Sequence, residues 1–231
     1  MHVPQYWLGP ESLQGILSTR SAFPGPLIAR DIRMTDTTIR QADHPIDPQF
    51  TARWSPRAFT NETLPEATLL SFFEAARWAP SAYNAQPWRF VYARRGTPHW
   101  EQFVGFLNEF NQSWAKHAAA IVIVISKSTL KPPGSDQDAP SPTHAFDTGA
   151  AWGYLALQAS LSGWATHGMA GIEHDKIRNE LDLPPKYTIE AAIAIGRPGD
   201  PATLPEGLRS REVPSLRDPL STIAAEGRFA F

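Results

Sequence analysis

Apolar positions along this chain recur with two different periods, and the changes between them mark out its elements. Leu69, Leu70, Phe72, Phe73 and Ala76 fall mostly on one face at helical spacing, which predicts an amphipathic helix. Ahead of it, Thr63-Leu64-Pro65-Glu66 reads as a capping box, with Thr63 at N-cap and Glu66 at N3. Trp88-Arg89-Phe90-Val91-Tyr92 alternates and is rich in aromatics, so Trp88 to Ala93 is predicted to be a strand, followed by a turn at Arg94 to Pro98. Trp100, Phe103, Val104, Leu107, Phe110 and Trp114 repeat at three and four residues, which predicts a single amphipathic helix. Ala118 to Ser126 is continuously apolar and β-branched, the pattern of a strand buried on both faces. Phe146 to Ser162 predicts a helix of mostly small residues with Gly163 as its C′ residue, and Thr188 to Gly196 predicts another buried strand before a turn at Arg197 to Pro201.

The stretches between these elements are informative too. Lys127 to Thr143 holds four prolines, a glycine and two aspartates, the composition of a mobile surface loop, and Asp136 and Asp138 read as solvated charges with no third metal ligand at useful spacing. Met1 to Arg33 shows no sustained periodicity and no apolar core of a secretory signal. Its few acids and several arginines leave an organelle-transit composition open, and Met34 offers an alternative start. Residues 1–46 are therefore expected to be an irregular extension and 47–231 the functional domain.

Composition narrows the chemistry. At 231 residues, with 42% apolar and 19% charged, the chain can bury a sizeable core. A net charge of −2 gives no general attraction to nucleic acid or anionic membrane, so neither is expected as a partner. The absence of cysteine removes disulfides, thiolate nucleophiles and cysteine-ligated metal clusters. No apolar run reaches the length of a membrane span, and a cytoplasmic location is expected. No dinucleotide-binding glycine fingerprint, phosphate loop, zinc-protease motif or nucleophile elbow is present.

Four stretches carry candidate chemistry. Pro80-Ser81-Ala82-Tyr83-Asn84-Ala85-Gln86-Pro87 sets a hydroxyl and two amides between prolines, a stiff loop suited to the polar edge of a flat ligand or to an ordinary turn. Arg53-Trp54-Ser55-Pro56-Arg57 places two arginines and a serine at i, i+2 and i+4, where an extended backbone can aim them at one anion or leave them as a solvated basic turn. Thr166-His167-Gly168-Met169-Ala170-Gly171-Ile172 has two glycines that would permit a turn with close backbone approach. Arg209, Arg211 and Arg217 cluster in the tail, and phosphate is a natural partner for their paired donors.

Ala79 to Trp88 resembles the signature of the FMN-dependent nitroreductase family, and the other three stretches fall in order where that family has its remaining flavin contacts. Together they cover about Ala52 to Phe229. The resemblance implies an α+β nitroreductase fold, with helices on both faces of a mixed, mostly antiparallel sheet, in an intertwined homodimer carrying FMN at the interface. It implies flavin contacts from Arg53, Trp54, Ser55 and Arg57, and from Pro80, Ser81, Ala82, Asn84 and Gln86. It adds Asn111 at the pyrimidine, Met169, Ala170 and Gly171 beside the ring, and Arg217 at the phosphate with Arg209 and Arg211 behind it. His167 is a candidate proton donor; Ala170 stands where some relatives carry a glutamate. The implied activity is FMN-dependent NAD(P)H oxidoreduction, passing hydride through flavin N5 to nitroaromatics, quinones or related small-molecule acceptors. A non-turnover flavin carrier or sensor, or a same-fold enzyme that oxidises or fragments its substrate or flavin, remain the alternatives.

Overall fold

A computed structural model describes residues 40–231. The expectations for Met1 to Arg33 lie outside the described residues. The centre is a four-stranded sheet in the order β1–β2–β6–β5, formed by β1 (Trp88–Arg94), β2 (Ala120–Lys127), β5 (Ala165–Met169) and β6 (Tyr187–Gly196). Every pairing in it is antiparallel, in keeping with the mostly antiparallel sheet expected.

The continuously apolar run of β2 is explained by burial on both faces. Ile121, Ile123 and Ile125 join one core while Ala120, Val122 and Val124 join the other, because successive side chains point to opposite sides of a strand. Helices α2 (Glu66–Arg77) and α5 (His144–Leu161) close the second core through Leu69, Phe72, Leu155 and Ala159. The first core is closed by α3 (Trp100–Val104), α4 (Glu109–Ala115), α6 (His174–Glu180) and α7 (Glu206–Arg209), through Phe103, Trp114, Ile177 and Leu208. A short α1 (Pro48–Ala52) precedes α2. Fully burying one such large apolar side chain contributes about 1.5–3 kcal/mol, so a strand filled on both faces anchors the domain. None of the helices among the described residues is long and apolar enough to cross a membrane.

Four local expectations are corrected. The Trp100–Trp114 stripe is two helices, not one: Asn108 turns its side chain back to accept a hydrogen bond from Asn111 N at 3.0 Å, capping α4 afresh. The capping box is not formed. Pro65 stands at the N-cap of α2 without a side-chain cap bond, and Glu66, now the first helical residue, instead accepts from Tyr92 Oη at 2.9 Å and Arg94 Nη2 at 3.2 Å. Lys127–Thr143 is not wholly irregular: β3 (Thr129–Leu130) and β4 (Ala139–Pro140) pair as a small ribbon, with Asp138 held by Thr129 and Lys127. Thr166–Met169 lies in strand β5 rather than a turn, because pairing with β6 from Ala165↔Gly196 to Met169↔Ala192 outweighs the weak strand preference of His and Gly. Gly163, by contrast, takes φ +75° after α5, as its C′ assignment required.

Candidate functional site

The site is built outward from the segment between α1 and the core. Asp47 caps α1 by accepting from Gln49 N at 3.0 Å, and Pro48 starts the helix. After five residues the chain turns extended at Arg53 (φ −68°, ψ 128°), and Pro56 bars a return to helix at the residue before it. In extended backbone alternate side chains share a side, so Arg53, Ser55 and Arg57 line one cleft of about 240 Å³. Its other walls are Trp54, His167, Arg211, Val213, Ser215 and Arg217. Arg53 and Ser55 also border a larger hollow of about 440 Å³, walled by Phe50, Trp152, Gly153, Ala156, Leu157 and Gly168. Gly153 leaves open space where a Cβ would stand, and the Trp152 indole lies over Gly168. A cationic cleft thus adjoins a broad hollow with mostly apolar walls.

Charge in the cleft is unbalanced. Burial lowers the pKa of Arg53, and repulsion from Arg40 and Arg217 lowers it further. Burial also lowers Arg57; Glu212 offsets this and Arg211 adds to it. Of these arginines only Arg57 has a carboxylate within 4.0 Å among the described residues, that of Glu212 at 3.8 Å. Glu212 Oε1 is committed to the Arg57 and Ala58 backbone N–H groups at 2.6 and 2.8 Å, while Oε2 and Arg57 Nε are buried without a hydrogen-bond partner. An arginine cluster with spare donors and a single carboxylate suits an anionic group.

His167 borders the same cleft. Its Nδ1 donates to Pro56 O at 3.1 Å, and its ring packs 4.7 Å from Trp114. Burial lowers its pKa, with repulsion from Arg57 next, so at neutral pH the ring is uncharged. A carbonyl can only accept, so the single proton sits on Nδ1 and Nε2 is an acceptor. This geometry does not support His167 as a proton donor.

Asn111 is 8% exposed and reaches the segment after β5, its Nδ2 donating to Gly171 O at 3.0 Å. Gly171 O also accepts from Asn108 N at 3.1 Å. A Cβ on Gly171 would stand 2.5 Å from Asn108 Nδ2 and 2.7 Å from Asn111 Nδ2, so any larger residue would push these amides aside. The Met169 side chain is buried in the core, while Ala170 is exposed; neither lines the two cavities.

The Pro80–Pro87 loop is held elsewhere. It contributes no residue to either cavity. Its anchor is Asp147 in the first turn of α5, whereas Trp152, Gly153, Ala156 and Leu157 lie farther along that helix, roughly 8–15 Å away by helical rise. One chain therefore brings together Arg53, Trp54, Ser55, Arg57, Arg211 and Arg217, and separately joins Asn111 to Gly171, but keeps Pro80, Ser81, Ala82, Asn84 and Gln86 apart from both cavities. Arg209 is also outside: its Nε donates to Leu204 O at 2.8 Å and it lines neither cavity. Glu212, Arg40 and Trp152 escaped the sequence reading. Glu212 lay inside a stretch read only for its arginines, and Trp152 inside a helix read for its small residues.

The profile of the Nitroreductase family matches residues 50–99 and 97–197. The chain belongs to the nitroreductase family. Among solved structures, this nitroreductase-family protein resembles an oxidoreductase containing FMN, at 49% identity and TM-score 0.81, over 85% of this chain and 99% of the other. A protein assigned to the nitroreductases from Exiguobacterium sibiricum, solved in complex with FMN, shares the fold at 22% identity and TM-score 0.65, over 80% and 99% of the two chains. In sequence, the protein is 28% identical to an NADH dehydrogenase of Thermus thermophilus, over 71% of this chain and 90% of that one.

Proposed function

We propose that this nitroreductase-family protein is an FMN-dependent NAD(P)H oxidoreductase that works as a homodimer. The observation that carries the reading is the cationic cleft opening beside the hollow of Trp152, Gly153 and Gly168. The donor set fits FMN: Arg57 has a buried, unpartnered Nε, and Arg53, Arg211 and Arg217 lack ion pairs among the described residues. These groups would hold the phosphate, with Ser55 between them, while the open space over Gly153 would admit a flat ring. When bound, FMN supplies the redox chemistry, taking a hydride equivalent from NAD(P)H and delivering it to a nitroaromatic, quinone or similar conjugated acceptor.

The residues of the chain bind, orient and polarise. Guanidinium groups favour negative charge in the cleft, and Asn111, with Nδ2 committed to Gly171, keeps its Oδ1 to accept from a ligand N–H. His167 has its Nδ1–H committed to Pro56 O and Ala170 offers no acid, so on this reading proton supply falls to water.

The dimer reading rests on exposure and separation. Helix α5 presents Phe146 (82% exposed), Tyr154 and Leu161 to the outside, and Gly149 leaves open space beside it. The tail exposes Leu216, Leu220, Ile223, Phe229 and Phe231. A second copy packed on these surfaces buries them and would bring its Pro80–Pro87 loop to the cavities that the same chain's loop does not reach. Stopped-flow mixing with NADH and NADPH tests the activity. Fast bleaching of bound flavin, followed by reoxidation with a nitroaromatic or quinone, is expected. A flavin that neither donor bleaches makes the protein a carrier or sensor instead.

A further inference from the structure

The loop between α2 and β1 is bent in a way its residues disfavour. Tyr83, Asn84 and Gln86 have φ of 52°, 53° and 46°, in the left-handed region that non-glycine residues enter reluctantly. Three in one short loop persist only if their surroundings hold them there. Within the loop, Gln86 N donates to Ser81 Oγ at 3.0 Å, and Gln86 Nε2 donates to Asn84 O at 3.0 Å. Asn84 N donates to Ser81 O at 3.0 Å, its side-chain amide has no partner among the described residues, and Tyr83 is 75% exposed. These internal bonds shape the turn; Arg89 Nη1, from β1, ties its far end by donating to Gln86 O at 3.0 Å, and its near end needs a separate connection at Ala82.

Asp147 makes that connection. It is 4% exposed, and its Oδ2 accepts from Ala82 N at 3.1 Å and from Thr143 Oγ1 at 3.0 Å. No lysine, arginine or histidine lies within 4.0 Å of it among the described residues. A buried carboxylate without a counter-ion depends on hydrogen bonds and on the positive end of a helix, and the first turn of the 18-residue α5 supplies the latter. Its strongest remaining claim on a donor is the N–H that opens the left-handed turn.

We propose that Asp147 is a positioning residue: through the Ala82 N–H it holds the loop in its left-handed form, so that Asn84 and Gln86 face the flavin site of the second copy. This deepens the flavin-enzyme reading and rests on it. Asp147 touches neither flavin nor substrate; it acts through the loop.

The test uses the full chain, with flavin affinity read by fluorescence quenching alongside Tm. Asp147→Ala is expected to weaken FMN and riboflavin by the same factor, roughly tenfold, as for one charged hydrogen bond, because the loop senses the ring and not the phosphate. Asp147→Asn keeps an oxygen for Ala82 N–H and is expected to return most of that affinity. Ala82→Pro removes the donor and leaves Asp147 in place, so it covers the case in which Asp147→Ala does not fold; it is expected to show the same loss. Mixing Asp147→Ala with Arg217→Ala copies is expected to create heterodimers with one site of wild-type affinity, since each copy lends the part the other lacks. Unchanged flavin binding in both Asp147→Ala and Ala82→Pro overturns the proposal, as does a loss confined to FMN or an Asp147→Asn variant as poor as Asp147→Ala. A wild-type protein that binds neither flavin overturns the underlying reading and takes this inference with it.

Discussion

Truncating the arginines of the cleft separates two consequences that are usually entangled, ligand affinity and stability. Arg57 and Arg217 line the same cleft but differ in their surroundings. Each is expected to contribute a charge-assisted hydrogen bond to the FMN phosphate, about 1.5–3 kcal/mol, so each change to alanine weakens FMN by roughly ten- to 150-fold. Riboflavin, which lacks the phosphate, loses little. Stability should move differently. Among the described residues Arg57 is the sole cation within 4.0 Å of Glu212, whose side chain is almost fully buried, so Arg57→Ala leaves Oε2 without its charge partner. Glu212 Oε1 keeps the backbone N–H bonds of residues 57 and 58, which hold the cost to about 1–3 kcal/mol, below that of a fully orphaned buried charge. Arg217 is exposed, bonds only to Ser215 and Leu216 among the described residues, and repels Arg53 and Arg40. Arg217→Ala should therefore leave the flavin-free protein as stable as before or slightly more so. Raising salt from about 0.15 to 1 M shortens the screening length from roughly 8 to 3 Å and should weaken FMN while sparing riboflavin. Titration of flavin-free protein with both flavins, with thermal melts of the same samples, reads all of this. Arg209→Ala, bonded to Leu204 and outside the cleft, is the control. Equal losses for FMN and riboflavin, or no loss in either variant, refute the clamp.

Three further outcomes are expected. Gly171→Ala should cost about 1–3 kcal/mol, because its Cβ meets the Asn108 and Asn111 amides; denaturant unfolding checks the cost, and a normal flavin spectrum in a folded variant would argue against Asn111 as a ring contact. Gly149→Leu, where a Cβ has open space within the chain, should leave the fold intact but shift the protein to monomer in sedimentation if a second copy packs on α5. His167 has a lowered folded pKa, so both states are neutral above the unfolded value near 6.5; as pH falls below it the unfolded chain takes up a proton first and stability drops, by at most about 1.4 kcal/mol per pH unit, until the folded pKa is reached. His167→Gln should flatten that part of the stability–pH curve, while His117, whose pKa burial also lowers, contributes a slope of the same sign in both proteins.

Much of this protein was legible from local pattern. The doubly buried β2, the helices α2 and α5 and the strand β6 follow from hydrophobic period and length, because each buries a face whose spacing is set by its own backbone. The spacing of Arg53, Ser55 and Arg57 allowed one shared side in an extended backbone and equally a solvated basic turn, and the fold decided that the three line one cleft. The four motifs were likewise visible as resemblances. What sequence spacing could not supply was contact across long separations. Glu212 meets the Arg57 backbone from 155 residues away, and Asp147 meets Ala82 across 65. Strand β5 exists because β6 is there to pair with it, and α4 starts anew because Asn108 finds a backbone N–H to accept. The tertiary structure also decided that the Pro80–Pro87 loop and the arginine cleft, both written in one chain, stand apart in it. A helix anchored to the loop at its first turn and bordering the hollow from its middle separates them by roughly 8–15 Å of helical rise, and no periodicity in the sequence records which faces a folded chain leaves for another copy to fill.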